Sequence, residues 1–170
     1  LGTGIAGGVS VDGVLINNGD GQSGEFGHMP IPGTIIAAHN LPILKCGCGR
    51  FGCYETYGSG PGLERLAKQL LGCDLTSHEI ISDRTHQEIS RIWEIWCDIN
   101  AALILTIVTT LDPRTIVLGG GMSKISGLIE GIESALMRVA WKELPLPSIR
   151  LGSRGETAAA LGAAYAAYHV

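Results

Sequence analysis

Cys46-Gly47-Cys48-Gly49-Arg50-Phe51-Gly52-Cys53 decides how this chain is read. Three thiols fall within eight residues, and the interleaved glycines let the backbone turn tightly enough to aim all three sulfurs at one point. Upstream, Gly24-Glu25-Phe26-Gly27-His28 supplies a histidine. His28, Cys46, Cys48 and Cys53 then form a Cys3His set, a common composition for a closed structural zinc site. The competing reading is a disulfide with a spare thiol. Cys46 and Cys48 are poorly placed to pair with each other, because a disulfide needs a specific Cβ geometry. Charged and polar neighbours also argue against a merely buried thiol cluster. Cys73 and Cys97 stand alone in apolar surroundings and read as core residues.

Composition bounds the rest. A chain of 170 residues is long enough for one domain with a sizeable core. A net charge of −4 and a pI near 5.7 argue against a nucleic-acid surface. The most apolar run, Ile99 to Leu111, falls short of the ~20 residues that a membrane span requires. No signal peptide is legible, and a thiol-rich metal loop suits a reducing cytoplasm. The chain is 45% hydrophobic and 16% charged, and it opens on Leu1-Gly2-Thr3-Gly4 without methionine. Both features read as a piece of a longer protein, with a partner domain or subunit covering apolar surface.

Outward from the cysteines, Ala6–Val11 and Val14–Asn17 flank Asp12-Gly13, a two-residue hairpin signal. The stretch from Asn17 to Gly24 reads as a polar, glycine-rich loop. Met29 to Lys45 carries Pro30, Pro32 and Pro42 and reads as an ordered insertion with one short helical turn. Leu63, Leu66, Leu70 and Leu71 have helical spacing over 62–71, and Thr76 before Glu79 forms a capping-box signal. Gln87 to Leu111 is the strongest helix, with Ile89, Ile92, Trp93, Trp96, Ile99, Asn100 and Leu103 on one face and Asp112-Pro113 at its end. The two tryptophans read as core or interface packing ahead of a binding stripe. Thr115 to Gly119 is expected to be a short buried strand, followed by a helix to about Glu143. A last strand covers Ile149–Leu151, and a last helix covers Glu156–His169. Ala158, Ala159, Ala160, Gly162, Ala163 and Ala164 would let that helix approach a neighbour closely. Strands alternating with helices make an α/β domain.

Two glycine-rich turns are ambiguous taken singly. Leu1-Gly2-Thr3-Gly4 lacks the Lys-Ser/Thr of a P-loop and leads into a strand, yet its N–H groups and the Thr3 hydroxyl suit a phosphate. A plain hairpin turn explains it equally well. Leu118-Gly119-Gly120-Gly121 closes a strand and leaves flat backbone on which a ligand can lie, or it is simple close packing. Glu25 and Glu55 flank the proposed metal ligands, where a fixed loop would preorganise both carboxylates toward vicinal sugar hydroxyls. Two solvated charges are the plain alternative.

Taken together, Leu1-Gly2-Thr3-Gly4, Gly24-Glu25-Phe26-Gly27-His28, the cysteine loop through Tyr54-Glu55, and Leu118-Gly-Gly-Gly resemble the ROK family of sugar kinases and sugar-responsive repressors. Order and spacing agree over nearly the whole chain. The 17 residues between His28 and Cys46 favour the kinase branch, closest in look to bacterial N-acetyl-D-glucosamine kinases. Repressor members usually have a shorter segment there.

The resemblance implies an actin-like (hexokinase-type, ribonuclease H-like) ATPase fold, with residues 1–170 as its C-terminal lobe and 25–55 as a zinc- and sugar-binding segment. It implies transfer of the γ-phosphoryl of ATP, with Mg2+, to the 6-hydroxyl of a hexose or N-acetylhexosamine. His28, Cys46, Cys48 and Cys53 would bind Zn2+. Glu25, His28 and Glu55 would contact the sugar, His28 through the ring nitrogen that zinc leaves free. Gly2, Thr3 and Gly4 would face the phosphates, and Gly119, Gly120 and Gly121 the adenosine. A homodimer is implied as well. The first phosphate motif, Asp-x-Gly-x-Thr, and the family's catalytic aspartate have no match in these residues, so the 170 residues alone are expected to be inactive. Glucokinase, fructokinase, N-acetylmannosamine kinase and the sensor domain of a repressor are the alternatives.

Overall fold

The structure, a computed structural model, describes residues 1–16 and 21–168. The loop expected from Asn17 onward therefore lies partly outside the described residues, as does His169 at the end of the last helix.

A single long helix organises the chain. Helix α5 (Gln87–Leu111) matches the expected bounds. Its apolar side chains recur at 3.6-residue spacing and bury Ile92, Trp93, Trp96, Ile99 and Leu103. Trp96 is fully buried, and its indole N–H donates to Ser59 O at 3.0 Å. Trp93 stacks on it with centroids 5.1 Å apart, so both tryptophans are packing residues. Asp112 stops the helix in the left-handed conformation, φ 46°, ahead of Pro113.

Shorter helices surround this axis: α1 (Gly33–His39), α2 (Tyr54–Gly58), α3 (Gly60–Leu71), α4 (Ser77–Ser82) and α6 (Leu128–Val139). Ser59 caps α3 by accepting from Gly62 N–H at 3.0 Å. Thr76 and Glu79 form the reciprocal capping box that starts α4. Helix α6 lays Leu128, Ile132, Ala135 and Leu136 against α5. Helix α7 (Ala158–Tyr168) ends the described chain.

The sheets are small. Strands β1 (Ser10–Val11) and β2 (Val14–Leu15) form the expected hairpin about Asp12-Gly13, shorter than its sequence pattern. Strands β3 (Thr115–Leu118) and β4 (Ser148–Leu151) pair in parallel, Thr115 opposite Ser148 and Leu118 opposite Leu151.

Five expectations need correction. Strand β3 is not buried throughout: Thr115 and Val117 are exposed, because this two-stranded sheet has helices on one face only among the described residues. The helix after the three glycines does not start there. A 3-10 turn (Gly121–Lys124) and Gly127 in the left-handed region delay α6 to Leu128, and it ends at Val139 rather than near Glu143. Among the described residues the small residues of α7 are not packed against a neighbour, since Ala158, Ala159, Ala160, Gly162, Ala163 and Ala164 are all exposed. Cys73 is exposed, with its thiol directed at Leu71 O, whereas Cys97 is buried as expected and burial pushes its thiol up to about 12. Lastly, α5 is long and apolar enough by composition to cross a membrane, which the shorter apolar run did not indicate. Two thirds of that window, 67%, is buried inside this fold, as suits a core helix.

Candidate metal and ligand site

The predicted ligands converge. Gly24 through His28 form a tight turn whose Gly27 N–H donates to Ile5 O at 3.2 Å and whose Gly24 O accepts from Gly7 N–H at 2.8 Å. The chain then pairs with the end of the cysteine loop. Ile31 N–H donates to Gly52 O at 2.7 Å and Tyr54 N–H to Met29 O at 3.0 Å, which fixes His28 beside Cys53. Within the loop, Cys46 N–H donates to Arg50 O at 2.7 Å and Gly49 N–H to Cys46 O at 3.0 Å. Arg50 closes the assembly from outside by donating to His28 O at 2.6 Å.

The donor atoms of His28, Cys46, Cys48 and Cys53 all lie within 4.8 Å of one another. Cys46 Sγ is 3.7 Å from His28 Nδ1, and Cys48 Sγ is 3.7 Å from Cys53 Sγ. Zn–S bonds of about 2.3 Å and Zn–N bonds of about 2.0 Å give tetrahedral edges of roughly 3.5–3.8 Å. The set fits that geometry, and the disulfide alternative does not: all five cysteines are free thiols.

The loop's electrostatics favour a cation. Backbone and guanidinium hydrogen bonds from Arg50 pull the exposed Cys48 thiol down to about 6, whereas burial pushes Cys53 up to about 12. A metal bound to these thiols would displace their protons.

The two carboxylates serve different surroundings. Glu25 is exposed and lies 3.7 Å from His28 Nε2, the ring nitrogen facing away from the thiols. Glu55 sits on α2 just after Cys53 and accepts from Ile5 N–H at 2.9 Å through Oε2. A Cβ on Gly4 would come within 2.6 Å of that oxygen, so the turn after Thr3 needs glycine to admit the carboxylate.

The two glycine turns lie against each other. Leu1 N donates to Gly119 O at 2.8 Å and Met122 N–H to Leu1 O at 3.2 Å. Gly120 has φ 87°, and a Cβ there would sit 2.3 Å from Leu1 O. Gly60 N–H donates to Gly2 O at 2.8 Å, tying the first turn to the start of α3. Thr3 remains exposed. It joins Glu55, Cys46, Lys45 and Arg65 around a polar cavity of about 50 Å³. The cavity therefore links the first glycine turn, one carboxylate and the cysteine loop. Gly119, Gly120 and Gly121 border Leu1 and Gly2 instead, away from the thiols. Sequence reasoning missed Lys45, Arg50 and Arg65. The first two adjoin or sit among the cysteines, where a cation beside thiolates is a readable signal; Arg65 has none.

The ROK family model matches residues 1–169. An N-acetylgalactosamine kinase of Shewanella sp. (strain ANA-3) is 33% identical over 166 residues, covering 96% of this chain and 54% of its own length. An N-acetyl-D-glucosamine kinase of Histophilus somni (strain 129Pt) is 34% identical over 170 residues, covering 96% and 55%. Among solved structures, a ROK family glucokinase from Streptomyces griseus in complex with glucose and AMPPNP superposes with a TM-score of 0.82 at 26% identity, covering 100% of this chain and 59% of that one. The chain spans just over half the length of the curated relatives it matches. Fold, motif order and family match agree: the chain belongs to the ROK family and has its actin-like sugar kinase fold.

Proposed function

We propose that this chain is the C-terminal lobe of an ATP-dependent N-acetylhexosamine kinase acting on the 6-hydroxyl of N-acetyl-D-glucosamine. The observation that carries the reading is Glu55. Its carboxylate is held against the Leu1–Gly4 turn by Ile5 N–H, two residues after a thiol of the Cys3His set. One rigid segment, residues 25–55, thus presents sugar-recognising groups beside a phosphate-sized glycine turn.

His28, Cys46, Cys48 and Cys53 bind a structural Zn2+, which pins the loops on both sides of the sugar. Glu25 and Glu55 accept hydrogen bonds from sugar hydroxyls, and His28 contributes its outward Nε2. Gly2, Thr3 and Gly4 face the nucleotide phosphates, which the Thr3 hydroxyl and the Gly4 N–H bind, while Gly2 N–H closes the turn by donating to Gly4 O at 3.1 Å. Gly119, Gly120 and Gly121 make room for adenosine. Mg2+ neutralises charge on the phosphates when bound, and these residues contribute by orienting both substrates. The catalytic aspartate lies outside these 170 residues, which do not phosphorylate sugar by themselves. The full protein is a cytoplasmic homodimer, in which reduced thiols stay free for the metal.

The N-acetylgalactosamine kinase relative bears on the sugar, since an epimer at one hydroxyl leaves the acetamido group unchanged. A coupled assay of the full-length protein with ATP and a panel of N-acetylglucosamine, N-acetylgalactosamine, N-acetylmannosamine, glucose and fructose tests the reading. N-acetylglucosamine is expected to give the highest kcat/KM. No ATP-dependent phosphorylation of any panel sugar would overturn it.

A further inference from the structure

We propose that Tyr57 is a positioning residue that sets the cysteine loop in register with Glu55. Tyr57 is only 1% exposed, yet its hydroxyl is fully used. It donates to Pro42 O at 2.8 Å and accepts from Leu44 N–H at 2.9 Å, clasping the chain just before Cys46. Gly52 N–H donates to Leu44 O at 2.9 Å beside the Lys45–Phe51 bridge, which pairs the loop's two sides, whereas Leu44 N–H and Pro42 O turn to the hydroxyl of Tyr57. The hydroxyl is therefore the polar link that ties the loop's entry to α2.

The other end of the loop is fixed by α2 itself, because Cys53 is the N-cap of that helix. Glu55 and Tyr57 follow on its first turn. A five-residue helix thus carries the last thiol, one candidate sugar contact and the clasp on the first strand of the loop. Sliding the entry strand would move Cys46 and Lys45 relative to Glu55 around the polar cavity that they share. Tyr54 offers an internal comparison. It is equally buried on the same helix, but its hydroxyl meets Thr106 Oγ1 on α5, at 3.2 Å, rather than hydrogen-bonding the cysteine loop.

The link to substrate rests on reading Glu55 as a sugar contact, whereas the clasp on the loop stands without it. Full-length wild type, Tyr57→Phe and Tyr54→Phe are to be compared. Removing one net hydrogen-bonding group should speed zinc release to a chelator by about fivefold in Tyr57→Phe. Amide exchange at Leu44 should accelerate alongside it, and KM for N-acetylglucosamine should rise while kcat and the KM for ATP hold. Tyr54→Phe should leave zinc release and Leu44 exchange as in wild type. Equal zinc release in Tyr57→Phe and wild type, or the same acceleration in Tyr54→Phe, would overturn the proposal. So would faster zinc release with an unchanged sugar KM, which would cut the link to Glu55. Should wild type phosphorylate no sugar while Tyr57→Phe still releases zinc faster, the clasp stands and the kinase reading alone falls.

Discussion

The backbone N–H of Ile5 donates to Glu55 Oε2 at 2.9 Å, joining the first glycine turn to the helix that follows the cysteine loop. One carboxylate oxygen is thereby committed to the fold, and on the proposed function Oε1 takes the sugar hydroxyl. Glu55→Gln keeps an oxygen for Ile5, so melting temperature should change little. The loss of charge should raise KM for N-acetylglucosamine by about tenfold, the weight of a charge-assisted hydrogen bond. Steady-state kinetics of the full-length protein check this, with KM for ATP as the control. Gly4→Ala should raise the sugar KM further, since its Cβ would meet Oε2 at 2.6 Å.

Cys48→Ser should abolish stoichiometric zinc, measured by elemental analysis of the purified protein. A closed tetrahedral site loses most of its affinity with one thiolate. In wild type, a strong chelator should lower the melting temperature and loosen amide protection at 26–31 and 44–54. Unchanged zinc content in Cys48→Ser would count against the ligand set.

His39 gives the fold a pH dependence away from the metal. Its Nε2 lies 3.1 Å from Asp98 Oδ2, its Nδ1 lies 3.2 Å from Arg91 Nη2, and Arg138 donates to Asp98 Oδ1 at 2.6 Å. Neutral imidazole suits this arrangement, with Nε2–H donating to Asp98 and the Nδ1 lone pair accepting from Arg91. Burial first of all, and the two guanidiniums after it, hold His39 below its ordinary value despite Asp98. In the unfolded chain it titrates near 6.5, so below about that pH the unfolded state binds the extra proton and is favoured. The stability that neutral His39 contributes is present above pH ~6.5 and lost as pH falls through the lowered native value. Melting curves from pH 7.5 to 5 should fall less steeply for His39→Gln than for wild type.

Trp96→Ala should destabilise by about 3–5 kcal/mol, through the cavity beneath α3 and the loss of one of the two donors to Ser59 O. Trp96→Phe should cost roughly 0.5–1.5 kcal/mol for the lost hydrogen bond, since Ser59 O keeps its bond from Leu63 N–H at 3.0 Å. Urea unfolding of the two variants separates the packing and hydrogen-bonding contributions.

The long helix and the metal set were legible because each is written in local spacing. Ile92, Trp93, Trp96, Ile99 and Leu103 of α5 recur on one face, and the cysteine loop lies within eight residues. Strand burial was not, since whether Val117 is covered depends on what lies across the sheet, which a four-residue run cannot encode. The late start of α6 was hidden for a related reason. Gly119-Gly120-Gly121 marks a break in the strand but not the further turn through Gly127. Helix α2 escaped notice because its five residues, bracketed by Cys53 and Ser59, are too few for a period. The pairing of Glu55 with Ile5 is a contact across the fold, and no local pattern announces it.

Cys53 closes the thiol set and opens α2, so the placing of Glu55 relative to that last thiol is fixed by helix geometry. Between Pro30 and Pro42 the chain instead makes an excursion through α1 and returns to a frame held at both ends, by the Pro30–Cys53 bridge and by Tyr57. Related chains can therefore gain or lose residues within that excursion and keep the same site. A single residue inserted between Cys53 and Glu55 would turn the carboxylate about 100° around the helix axis and away from Ile5.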